Sequence, residues 1–331
     1  MKRIRFLGHA RSAALLLAVI TSALALSCST LGTDLHEGRA FVSPEAAGEA
    51  LIAALKSGDE DAAEAILGRG SEALISSGDA VMDRNQNTRF VALYDARHSW
   101  LDWAPGVAVL EAGENAWPFP IPLVESKGDW WGRKGGWRFD TPEGAGEILN
   151  RRIGRNELNT IQACLAFVDA QRDYYARNPQ ESAVAAYARF ILSSEGERDG
   201  LYWPTSGDEA PSPLGPLYAA ARNEGYTPAQ GAGKPFEGYF YRVLDAQGAS
   251  APGGAYGYTE DGAMTLGFGM VASPAKYGAS GVMSFLVNQL GLVYEKDLGP
   301  ETEKLAMSME TFDPDDSWAL VPANALVLPD D

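Results

Sequence analysis

EGAGEILNRRIGRNELNTIQACLAFVDAQRDYYAR, residues 143–177, is the stretch whose reading decides the fold. Ile148, Leu149, Ile153, Leu158, Ile161, Leu165 and Val168 follow helical spacing, which gathers apolar side chains on one face. At ~1.5 Å per residue an unbroken helix here runs on the order of 50 Å. Gly154 and Asn156 predict a break or kink along it, and Asn178-Pro179 stops it, because a residue before proline is pushed out of the helical region. An apolar stripe this long needs a sheet or another helix laid against it. Cys164 sits on the stripe, where a small, inert, buried thiol fits.

Downstream, residues 181–193 predict a further helix with Val184, Tyr187, Ala188 and Ile191 inward. Residues 195–226, EGERDGLYWPTSGDEAPSPLGPLYAAARNEGY, are too rich in Gly and Pro for long regular structure. Residues 236–244 and 264–273 alternate as strands, and GVMSFLVNQLGLVYEKDLG, residues 281–299, reads as a hairpin turning near residues 288–291. A closing helix over residues 301–309 packs Leu305 and Met309 back. This half, 143–331, is expected to be a long helix packed on an antiparallel sheet, an arrangement similar to the heads of type IV pilin-like proteins.

Upstream, Ser43-Pro44-Glu45 has the composition of a helix start, with Ser as cap, Pro in the first turn and Glu near the positive end of the dipole. Ala47, Ala50, Leu51, Ala54 and Leu55 share a face up to Gly58, and a short helix over residues 59–67 ends at Gly68. A third helix is expected over residues 86–103, with Phe90, Leu93, Tyr94 and Leu101 inward. Residues 107–112, 119–124 and 137–140 read as strands. Residues 41–142 thus predict helices followed by a curved antiparallel sheet, a cone. The opening SPEAAGEALIAALKSGDEDAAEAILG and the late GGWRFD resemble the nuclear-transport-factor-2-like class, which implies an enclosed pocket. The fold class is α+β, in two domains.

The first 27 residues read as a secretory signal: Lys2, Arg3, Arg5 and Arg11, then an apolar run over residues 13–26 too short to span a bilayer permanently. Cys28 stands where a bacterial lipoprotein signal places the thiol that receives lipid, although Ala25, Leu26 and Ser27 match that pattern imperfectly. Ala23 and Ala25 offer an ordinary secretion site as the alternative. A multi-chain lipid would hold the protein stably at a membrane, and Ser29 after the cysteine fits sorting to an outer membrane. The expectation is an exported, periplasmic protein anchored to the outer membrane, with residues 28–40 as a polar tether.

Loss of the four cations of the signal moves the formal charge from −17 to −21. That balance argues against nucleic acid as a partner, because binding there requires neutralising phosphates. Six of the eight tryptophans fall between positions 100 and 137, a density that predicts either a packed core or a ligand seat. Trp103, Trp117, Trp130, Trp131 and Trp137 are the candidate ligand-binding residues, with Trp100, Trp117 and Trp137 as core fillers on the competing view. Outside the signal the histidines are His36 and His98. On a helix, His98 with Asp95 or Asp102 would form an acid–base pair, since residues three and four apart share a face. Asp313, Asp315 and Asp316 lack the spacing of a calcium loop and read as a turn. The marked motifs of serine hydrolases, zinc proteases and phosphate-binding loops do not occur, and no cofactor is implied.

WRFDTPEGAGEILNRRIGRNELNTIQACLAFVDAQRDY (137–174), RDGLYWP (198–204), SPLGPL (212–217), GYFYRVLDAQG (238–248), APGGAYGY (251–258) and VYEKDLGP (293–300) closely resemble the bacterial domain of unknown function 2950 family, from about Phe41 to Val321. The resemblance implies an acidic turn after the long helix. RNPQESA at residues 177–183 is acid-poor, so a metal role for that turn does not carry over. The function expected from the residues is a non-enzymatic binding or assembly protein of the cell envelope with an envelope protein or glycan as partner. The alternative is a carboxylate-dependent, glycan-directed hydrolase built on the Trp-rich half.

Overall fold

The chain from residue 43 to 67 folds as its caps dictate. Ser43 Oγ accepts the Ala46 N–H at 3.2 Å and opens helix α1 (Pro44–Ser57), and Gly58 closes it at φ +67°, donating to the carbonyls of Ala54 and Leu55. The Asp59 carboxylate caps α2 (Glu60–Leu67), which ends at Gly68. In a computed structural model residues 38–128, 135–227 and 233–322 are described. The signal, Cys28, His36, Trp130 and Trp131 lie outside them.

After α3 (Glu72–Ile75), Asp79 caps α4 (Ala80–Ala96) through the N–H groups of Val81 and Met82. Here the expected helix over 86–103 is corrected. It ends at Ala96, and residues 98–104 are strand β1 (His98–Ala104), paired antiparallel with β2 (Val107–Ala112) across the Gly106 turn. The strand wins because a ready partner, β2, alternates strictly and buries Ala108, Leu110 and Ala112 on one face. Strands β3 (Trp117–Pro118), β4 (Leu123–Ser126) and β5 (Gly136–Phe139) complete an antiparallel sheet in the order β1-β2-β4-β5, with β3 on β2. Leu51, Ile66, Tyr94, Leu110, Leu123 and Phe139 form the core between this sheet and the helices.

Helix α5 (Thr141–Arg177) is continuous for 37 residues, so the expected break does not occur. Gly154 has open space where a side chain would be. Asn156 turns its amide away from its own helix and donates to the Ser280 carbonyl at 2.8 Å. The middle of α5 buries polar groups, Arg152, Asn156 and Thr160, where an apolar stripe was expected; its last third buries Ile161, Cys164, Phe167, Val168 and Tyr174. Burial pushes the Cys164 thiol up to about 12, which keeps it protonated. Asn178 ends α5 in the left-handed conformation, φ +43°.

The expected helix over 181–193 is replaced by extended chain. Buried Gln171 on α5 accepts the Ala188 N–H and donates to the Ala188 carbonyl, both at 2.9 Å, satisfying that peptide as a neighbouring strand would. Tyr187 bridges to Met264, and Phe190–Leu192 runs parallel to Gly200–Tyr202. A short helix α6 (Gly215–Asn223) lies in the Pro- and Gly-rich span.

The second large sheet contains β6 (Tyr239–Leu244), β7 (Gly269–Pro274), β8 (Met283–Asn288), β9 (Val293–Asp297) and β10 (Ala319–Leu320), in the order β10-β9-β8-β7-β6 with every pairing antiparallel. Gly291, φ +74°, turns the β8–β9 hairpin where expected. Met270, Phe285 and Val287 face α5, whereas Val271 and Leu286 face the other way toward Ala306 of helix α7 (Thr302–Ser308). Of the α7 residues Thr302 and Ala306 are buried, and Leu305, expected inward, is exposed. The chain is therefore α+β, and the described residues belong to one compact unit in which α5 reaches both main cores. Among the described residues no helix is long and apolar enough to cross a membrane.

Candidate functional site

The described part of the first half leaves a cleft of about 410 Å³ between α1, α3, α4, the sheet and the start of α5. Leu51 and Leu55 enter it from α1, Leu74 from α3 and Phe90 from α4. Phe90 stacks on Phe119 at 5.0 Å and meets Trp117 edge-on at 6.3 Å, which makes an aromatic wall on the β3 side. A cleft of this size lies within the range of small-molecule sites. A second cavity, beside Phe167, Tyr218 and Phe236, is about 90 Å³ and holds much less.

The charged groups on the cleft are arginines: Arg89 from α4 and Arg151, Arg152 and Arg155 from α5. Arg152 is buried and structural. Its guanidinium donates to the Ala73 and Leu74 carbonyls at 2.7 and 2.6 Å and to Gln86 Oε1 at 3.3 Å, closing the end of α3. Burial lowers its pKa, opposed by the nearby Asp83 carboxylate, and burial raises that of Asp83 in turn, against hydrogen bonding from Ser77 and attraction by Arg152. Arg151 reaches across the Trp117 ring, 5.9 Å from its centroid, while its Nε donates to Glu147 at 2.7 Å. Arg155 is lowered by partial burial and, second, by repulsion from Arg89. These two stand close together with no salt-bridge partner among the described residues.

The cleft lining among the described residues contains no Asp, Glu, His, Cys or Ser. Guanidinium remains protonated through the physiological range, so these groups carry fixed positive charge and do not shuttle protons.

Of the tryptophans expected at a ligand, Trp117 lines the cleft. Trp103 lies in β1 at the bulge between Asp102 and Ala104, 37% exposed, away from the lining. Trp137 packs against the first core, and its backbone exchanges hydrogen bonds with Phe41 at 2.8 and 2.9 Å. The helical face on which His98 was expected to pair with Asp95 or Asp102 does not form, because the helix ends at Ala96 and His98 opens strand β1. His98 Nδ1 lies 2.9 Å from the Tyr94 carbonyl and its ring stacks on Tyr94 at 3.8 Å. Asp95 pairs with Lys56 at 2.8 Å. Asp102 is four strand positions on from His98, roughly 13 Å at strand rise.

The reading of the residues missed the arginines. A signal for them was present: NRRIGRNE places Arg151 and Arg155 four apart on one helical face, an unusual basic cluster in a chain of charge −17. No group of three or more His, Cys, Asp or Glu placed to hold a metal occurs among the described residues.

A family model described as protein of unknown function (DUF2950) matches residues 38–321, and the chain belongs to that family. No curated protein and no solved structure matches the chain.

Proposed function

We propose that this DUF2950 chain is an exported, non-enzymatic binding protein of the cell envelope, lipidated at Cys28, held at the outer membrane and taking its ligand in the cleft beside Trp117. One observation carries the reading: the roomy cleft is apolar and cationic but has no nucleophile, general acid or general base on its described lining. A glycan-directed hydrolase needs two carboxyl groups flanking the bond to be cleaved, and the same lining supplies none. The signal pattern that ends at Cys28 supports the location.

The test is a fluorescence titration of the mature protein with glycan, peptide and lipid fractions of the envelope, because Trp117 reports from the cleft wall. A saturable change in wild type, reduced in Trp117→Phe and abolished in Leu74→Arg, is expected. Absence of a saturable response to every fraction overturns the binding reading. Release of an unmodified Cys28 peptide from native material overturns the anchor.

A further inference from the structure

Resting on the cleft as a binding seat, we infer that its ligand is an acyl-chain carboxylate, an apolar single chain inserted among the leucines with its anionic head held by Arg89 and Arg155.

Three observations converge. First, the wall is mainly aliphatic: eight Leu and Ile side chains against Phe90, Trp117 and Phe119. Branched aliphatic surface suits an alkyl chain, whereas flat ring ligands are favoured by stacked aromatic faces. Second, Arg89 and Arg155 come from different helices and converge on the same cleft, although each repels the other and partial burial already penalises Arg155. Both arginines remain exposed to solvent, and two like charges set side by side on one cleft repel each other in a way that an arriving anion relieves. Third, the other cleft arginines are already engaged, Arg152 with backbone carbonyls and Arg151 with Glu147. The pair left over therefore sits ready for an external carboxylate, which guanidinium recognises with two parallel charge-assisted hydrogen bonds.

The negative net charge, −17 for the whole chain and −21 without the four cations of the signal, sharpens the selectivity. A polyanion is repelled by the whole surface before it reaches the arginines, whereas a single carboxylate on a chain gains its affinity from burial of the tail plus one local charge contact. No covalent step is involved, and the ligand leaves as it entered.

The experiment uses the mature full-length protein and three ten-carbon probes below their micellar concentrations: decanoate, decyl glucoside and decyltrimethylammonium, with acetate as a tail-free control. Binding is followed by tryptophan fluorescence and calorimetry. Decanoate should bind on the order of tenfold or more tightly than the neutral and cationic probes, the scale of one hydrogen bond to a charged group. In Arg89→Gln/Arg155→Gln the preference should vanish while decyl glucoside binding is unchanged, and Arg155→Lys should retain part of it. Far-UV dichroism of each variant shows that it is folded. Equal affinity for all three ten-carbon probes overturns the inference and leaves the cleft a plain apolar seat. Acetate binding as tightly as decanoate overturns the chain component. No binding of any probe overturns the inference, and the fraction titration above then decides separately whether the cleft is a binding seat.

Discussion

Gly144 and Gly154 lie on the same helix and obey opposite rules. At Gly154 nothing stands within 4 Å of where a Cβ would be, so alanine there meets only its intrinsic helix preference. Gly154→Ala should stabilise the protein by roughly 0.5–1 kcal/mol. At Gly144 the same atom would lie 2.3 Å from the Pro120 carbonyl oxygen and 2.6 Å from the Ile121 Cα, both backbone and neither able to swing away. Gly144→Ala should therefore destabilise by about 1–3 kcal/mol despite its better helix propensity, because the start of α5 must move off the sheet. Urea midpoints of the two variants settle this. Shifts of the same sign would mean that the helix–sheet approach at Gly144 is looser than described. No reading of the sequence separates these glycines, since the distinction lies in a chain segment more than twenty positions away.

Helix α5 owes its docking as much to polar side chains as to its apolar stripe. Glu157 Oε1 accepts the N–H groups of Val282 and Met283 at 3.0 and 2.9 Å, Asn156 reaches Ser280, and Arg152 closes the end of α3. Arg152→Met removes donors from two carbonyls and leaves Asp83 without its compensating charge, so it should cost about 3–5 kcal/mol, the scale of breaking a buried charged network. Arg151→Met, which breaks an exposed pair with Glu147 and a cation–π contact with Trp117, should cost about 1 kcal/mol or less. Denaturant unfolding compares the two, and similar losses would sink the distinction between structural and rim arginine. This division also explains what the sequence revealed. Ser43, Gly58, Asp59 and the β8–β9 turn were legible because each satisfies a backbone group within a few residues of itself. The end of α4 before His98 was not, because strand β2 decides it. Nor was the extended chain at Ala188, which depends on Gln171 from another element. The candidate site was half legible: Trp117 stood out by indole density, while Arg89 and Arg155 meet only in the folded chain.

At the scale of the whole molecule, charge and buried phenols set the pH range of stability. Asp79 joins the two halves, its Oδ2 accepting the Tyr226 hydroxyl at 2.8 Å and the Gly238 N–H at 2.9 Å. Burial raises Tyr174 and Tyr218 to about 12, and raises Tyr226, Tyr239 and Tyr241 as well, from an ordinary value of 10.0. A phenol whose folded value lies above its unfolded one contributes stability that is complete below pH 10 and is lost as pH climbs through the folded value. The urea midpoint should therefore fall between about pH 10 and 12, with tyrosinate absorbance rising together with loss of far-UV dichroism. On the acid side, burial also raises Asp83, Asp140 and Glu237, whose contribution is complete at low pH and lost as pH rises. Self-repulsion from the net charge of −17 declines toward the isoelectric point near 4.6. Both terms have the same sign, so the midpoint at about pH 5.5 should equal or exceed that at about pH 8. A midpoint that drops steadily from about pH 8 to 5.5, or tyrosines that ionise near pH 10 with the fold intact, would show that these groups are more solvated than their packing against α5 and Asp79 requires.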